Sequence, residues 1–345
     1  MENNILGNFI SKKETNDSKE IFALAFEFLK TAENQKSLYY DIANKKLVQQ
    51  LIELYYKTIK VDYETMSYNF RKKYIENEAK VEYNDEDLQI EYLGIGYMYD
   101  YIQNYNTEKS FDLFVEGLNL HQLLYKAYDE KFNSDQEKIH EEYLRQLEEA
   151  KKNKDVAEWK RINAILRKES GTSKRFGGNL RDQEVDLKNV DYHVPSAKDA
   201  KAFFNEFMKP EKKIEYYNML SSTSILAYIE YCVKISVDII KNQPFNNGNK
   251  RTSRALLNLM FKNKNIPPVY ILNHERKAYK DALLKAITEG DYKDITNFYC
   301  FKICDSIYEL DIKPYLNRKN QSNDIIESPS NMVDDDSDMK FYNKL

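Results

Sequence analysis

Between Gln243 and Arg254 the chain reads QPFNNGNKRTSR, a run whose residue types suit an anion. Pro244 and Phe245 stop a helix, since Pro244 has no N–H, and the Phe245 ring is expected to plug into the core. Gly248 admits backbone angles denied to other residues and lets a ligand come close to the chain. A helix restarting beyond it leaves the amides of Gly248, Asn249 and Lys250 without intrahelical partners at the positive end of the helix dipole. Arg251 and Arg254 stand three apart, hence on one face, and their forked guanidinium groups can reach two phosphates. Cations at a helix N-terminus oppose its dipole, so the pattern calls for an anion between them. The plain alternative is a basic first turn on the surface. The run is not a Walker loop, because G-x-x-x-x-G-K-[ST] is absent. At its entrance stands Gln243, whose amide has no accessible pKa and cannot act as a general base.

The elements that must hold this turn are helical. From Glu20 to Asn77 apolar residues recur at helical spacing, and a further helix opens near Asn84 or Asp85 with acids in its first turn. The stretch from Tyr128 to Ser170 is charged and free of Gly and Pro. Ile139, Tyr143, Leu147 and Ala150 form one stripe, and Val156, Trp159, Ile162 and Leu166 form another. Asn153–Asp155 supplies a turn, so the stretch predicts a helical hairpin arm. It reads either as a solvated spacer or as a docking arm with Trp159 as anchor. Gly177-Gly178 ends the helical run, and Arg181–Leu187 carries the alternation of a short hairpin strand. Ser196, with Asp199 three residues on, caps a new helix. The helix before the QPF turn, within Ser221–Asn242, is apolar around most of its circumference and predicts a central position.

The whole chain has 345 residues and a formal net charge of -4, with 42% hydrophobic residues, enough for a sizeable core. Only 9 Gly and 7 Pro against 31% charged residues favour long helices over many β turns. The mild acidity argues against nucleic acid as a partner. The chain has no apolar run long enough for a membrane span, and its start lacks the order of a signal peptide. Cys232, Cys300 and Cys304 form no CxxC pair; their odd number points to a reducing cytoplasm, and Cys300 and Cys304 fall on one helical face as buried thiols. Three regions are expected: residues 1–109, an N-terminal helical part; 110–312, a core carrying the 128–170 arm; and 313–345, an acidic tail without order.

The run from Gln243 to Arg254 resembles the signature of the Fic/Doc (Fido) family, H-P-F-x-[DE]-G-N-G-R-x-x-R. Pro244, Phe245, Gly248, Asn249, Arg251 and Arg254 match it. The similarity extends to LNLHQLL around His121, to the stretch from Gly177 to Ala200, and to RALLNLMFKNKNIPPVYI. The resemblance implies an all-α fold with a small β-hairpin flap at 181–187, binding of ATP with Mg2+, and transfer of AMP to a hydroxyl of a target protein. By position, Gly248, Asn249, Lys250, Arg251 and Arg254 would hold the phosphates. Gln243 occupies the place of the family's catalytic histidine and Asn247 that of its acidic magnesium ligand. His121, His140, His193 and His274 lie elsewhere in the pattern and read as structural or exposed. Lys250 replaces the second motif glycine, as in the Doc branch that transfers a terminal phosphate, whereas Arg254 is typical of AMP transfer. Lys72–Asn77, KKYIEN, resembles an inhibitory motif at Glu76 and Asn77. Three readings stand: an AMP transferase with weak or altered catalysis, a nucleotide- and partner-binding pseudoenzyme, and a Doc-like kinase.

Overall fold

Helices are the only regular elements among the residues that the computed structural model describes, which are 6–7, 11, 17–33, 42–58, 85–169, 177–185 and 192–327. In chain order the α-helices are α1 (Ser18–Glu33), α2 (Ile42–Thr58), α3 (Asp85–Asn104), α4 (Leu113–Lys152), α5 (Val156–Glu169) and α6 (Ala197–Asn205). They continue with α7 (Pro210–Ser221), α8 (Ile225–Asn242), α9 (Asn249–Lys262), α10 (Arg276–Glu289), α11 (Lys293–Ile307) and α12 (Lys313–Glu327). The expected third N-terminal helix and Glu76 lie outside the described residues.

Helix boundaries follow local chemistry. Ser196 Oγ accepts the N–H of Asp199 at 3.1 Å and starts α6. Ser224 does the same for Ala227 at 3.2 Å, so α8 begins there and not at Ser221. Asp112 caps α4 by accepting from Phe114 and Val115. Gly290, at φ 71°, closes α10 in the left-handed region that suits glycine.

Helix α8 is central. It packs against α9, α11, α2, α10, α6 and α7, and Ile229, Cys232, Val233, Val237 and Ile240 are buried on different sides of it. Ser236 lies in the α8–α9 contact, where Ser253 Oγ donates to its carbonyl at 2.6 Å. Cys300 and Cys304 are both buried free thiols, as their spacing suggests.

The structure refines three expectations. The arm is a helical hairpin as expected, and its first helix is the outer part of α4, a single element of 40 residues that also carries His121. No glycine or proline interrupts that helix between Leu118 and Lys152, so nothing local stops it. The turn at Asn153–Asp155 is present, and Ala150 and Ile162 are buried where α4 and α5 meet. Trp159 is 40% exposed and Val156 61% exposed, both near the tip. Second, residues 181–185 form no strand, and 186–187 lie outside the described residues. The Arg181 N–H is used by the carbonyl of Pro244, so a neighbouring strand has no claim on it. Third, the region expected to lack order from residue 313 forms α12 as far as Glu327. Tyr315 donates to Asp17 at 2.6 Å, Lys319 pairs with Glu20, and Leu316 packs against the core, ties that composition does not reveal.

Candidate functional site

Helix α8 ends on a residue in an unusual conformation. Gln243 sits at φ 46°, ψ 58°, the left-handed region, and its N–H still bonds Ile239 O at 3.0 Å. A non-glycine residue there costs on the order of 1 kcal/mol, so the surroundings must hold it. They do so from three sides. Arg181 Nε donates to the Gln243 carbonyl at 2.6 Å. Gln243 Nε2 folds back onto Ile240 O. Asn249 Nδ2 donates to Gln243 Oε1 at 2.9 Å. Gln243 is buried, and both ends of its amide are spent on the protein.

The turn then wraps around Asn249. Its Oδ1 accepts the Phe245 N–H at 2.9 Å, and its Nδ2 donates to Phe245 O at 2.8 Å. Asparagine is suited to this because one amide both donates and accepts. The Asn249 side chain therefore faces inward and pins the loop. What it can offer an anion is its backbone amide. Phe245 is fully buried, stacked on the His121 ring at 3.9 Å and 8°, with Phe204 edge-on at 5.4 Å.

Gly248 lies at φ 74°, and a Cβ built on it would fall 2.8 Å from Leu124 Cδ2 and 3.1 Å from Tyr125 Cε2. Conformation and space both call for glycine here. Gly248 is the N-cap of α9 and has no side chain with which to cap it. Its own N–H is taken by Asn247 Oδ1 at 2.7 Å, which corrects the expectation that all three amides from Gly248 to Lys250 point outward unpaired. Lys250 is exposed on the first turn, with Arg251 and Arg254 half-buried beside it. The Asn247 side chain is exposed, but its oxygen is already engaged and carries no charge. Among the described residues no cluster of His, Cys, Asp or Glu could hold a metal by itself. The turn thus fits a polyphosphate better than a bare cation, and a magnesium ion here would depend on the phosphates for most of its ligands.

His121 was not assigned to this turn from sequence, yet it touches the turn directly. Its Nδ1 accepts the Gly178 N–H at 2.9 Å, which places the ring proton on Nε2, and Nε2 donates to Asn247 O at 3.1 Å. Burial pushes its pKa down to about 4, opposed by the Asn247 carbonyl and reinforced by the Arg251 charge. It is a neutral structural histidine, with both ring nitrogens engaged by the backbone. His140, His193 and His274 are exposed. Arg181, also missed, is buried and bound to the entrance of the turn. The only sequence signal for either was its place near Gly177-Gly178 and in LNLHQLL.

A helical protein with a glycine-opened, arginine-bearing helix start behind a buried QPF turn is what the fold and site define. Residues 153–261 match the model of the Fic/DOC family, and the chain carries a domain of that family. The protein adenylyltransferase Fic of Drosophila persimilis is 30% identical over 122 residues, covering 35% of this chain and 22% of that protein. That of Aedes aegypti is 28% identical over 123 residues, again 35% and 22%. The chain thus spans 22% of the length of these relatives. A solved structure of Fic-1 from C. elegans aligns over 92% of each chain with 14% identity and a TM-score of 0.43. No described helix is long and apolar enough to cross a membrane.

Proposed function

We propose that the protein binds ATP with magnesium at the Asn247–Arg254 turn and acts as a Fic-type nucleotidyltransferase, moving AMP to a hydroxyl of a target protein, with catalysis impaired at Gln243. The observation that supports this reading is the start of α9: a left-handed glycine, with no side chain of its own to cap the helix, opens it, and two arginines follow one turn apart. The amides of Asn249 and Lys250 and the guanidinium groups of Arg251 and Arg254 bind and orient the phosphates. Bound magnesium would neutralise phosphate charge. Rigid positioning and charge stabilisation supply much of phosphoryl-type catalysis, which leaves slow transfer within reach of a site lacking a base.

The inward-turned amide of Gln243 favours a second reading, a nucleotide-binding module without transfer. Calorimetry with magnesium-ATP tests what both readings share. The native chain gives a saturable heat, and Arg251→Glu weakens binding by about 100-fold or more, since a charge-assisted contact worth roughly 1.5–3 kcal/mol is replaced by repulsion. Absence of heat for the native chain removes both readings. ATP labelled at the α phosphate then separates them, because only transfer leaves label on protein. Gln243→His is expected to raise α-label transfer by about 10²–10⁴-fold, the usual worth of a general base. No gain in a variant that still binds nucleotide favours the binding module. Label from the γ phosphate alone would point to the Doc-like kinase.

A further inference from the structure

The segment opening at Gly177 is held to the turn by the His121 and Arg181 side chains and a backbone hydrogen bond, with no strand among the described residues. Gly178 reaches Asn247 through the two nitrogens of His121. Three residues on, the Arg181 N–H donates to Pro244 O at 2.8 Å. Gly178 thus stands opposite Asn247 and Arg181 opposite Pro244, so the two runs are antiparallel. The Arg181 side chain ties three further points together. Its Nε donates to Gln243 O at 2.6 Å, its Nη1 to Gln183 O at 2.9 Å and its Nη2 to Pro195 O at 2.5 Å.

This guanidinium has a fully buried side chain, while the Glu184 carboxylate, 3.6 Å away, belongs to a side chain that is 71% exposed. Carbonyl oxygens of three separate segments satisfy the charge instead. Burying a charge in this way is expensive, and an apolar side chain would serve packing alone as well. What a planar fork provides, and an ammonium does not, is fixed direction to several acceptors at once. Glu184 extends the arrangement by accepting the Ala197 N–H at 3.1 Å, at the start of α6.

We propose that Arg181 is a positioning residue of the nucleotide site: it sets the distance and angle between the 178–185 segment and the Gln243–Gly248 turn, and so decides where that segment stands relative to a nucleotide bound at the turn. The functional half of the proposal rests on nucleotide binding at the turn. The mechanical half does not.

The test compares the native chain with Arg181→Ala and Arg181→Lys. Hydrogen exchange reads the amides of 178–185, calorimetry reads magnesium-ATP affinity, and guanidinium chloride is added at millimolar level against the same concentration of sodium chloride. Both variants are expected to exchange at 178–185 faster by at least about tenfold, with α8 and α9 unchanged. Nucleotide affinity stays within about threefold, since Arg181 touches no phosphate-binding group. Added guanidinium, and not sodium, slows exchange in Arg181→Ala by refilling the cleared space. Where transfer is measurable, kcat falls and the nucleotide KM holds. Unchanged exchange at 178–185, loosening spread evenly over α8 and α9, or failure of both variants to fold would each overturn the proposal. A native chain that binds no nucleotide removes the functional half, while the exchange data still decide the mechanical one.

Discussion

Lys302→Met will destabilise the protein by about 3–5 kcal/mol, the usual cost of removing one partner from a buried ionic group. Lys302 is on α11 with a fully buried side chain, 2.8 Å from Glu275 Oε1 and 3.0 Å from Asp305 Oδ2. Glu275 also accepts the Leu272 N–H at 2.8 Å, and Lys30 of α1 lies 3.2 Å from Asp305. The ammonium rests over the Tyr270 ring at 5.1 Å. Burial alone would lower its pKa, but Asp305 and Glu275 carry it above its ordinary value. Methionine keeps the volume and removes the charge, leaving the buried Glu275 carboxylate without its ammonium and Asp305 with Lys30. Urea unfolding of both proteins at neutral pH measures the loss. Adding Glu275→Gln to the variant will return part of it, because one orphaned charge is gone. A loss below about 1 kcal/mol would mean that water reaches the cluster and that its charges are worth no more than surface pairs. Because α11 packs on α8, the cluster also secures the helix that ends in the turn.

Acid will weaken the protein through His121 over a defined window. Its folded pKa of about 4 lies below its ordinary 6.5. Between these values the unfolded chain binds a proton that the folded chain refuses, so stability rises with pH there. The contribution is fully present above about pH 6.5 and is lost as pH falls towards about 4, a total change of about 3 kcal/mol. His121→Asn keeps a donor and an acceptor without a titrating ring. It should be less stable at neutral pH and should show a shallower slope across this window. Equal slopes for the two proteins would mean that His121 takes up its proton without disturbing Gly178 or Phe245.

The turn ahead of α9 was legible because its parts are neighbours in the chain. Gly248 adopts the positive φ that its position in QPFNNGNKR demands, and α9 starts directly after it. Ser196 capped its helix as its spacing with Asp199 suggested. Phe245 went into the core and α8 proved central. The extent of α4 was less legible, since a charged surface pattern looks the same on an independent arm and on the free end of a core helix.

By itself, then, the order of residues determined the helical character, the place of the turn and the arginine pair after it, since backbone angles, caps and the 3.6-residue period act over a few residues. Only the tertiary structure decided which way the polar side chains of the turn face. His121 meets Asn247 across 126 positions and Arg181 meets Gln243 across 62. Asn249 looks the same in a string whether it points at a ligand or at the loop behind it. Burial and hydrogen-bond partners settle that, and both arise only once distant helices have packed.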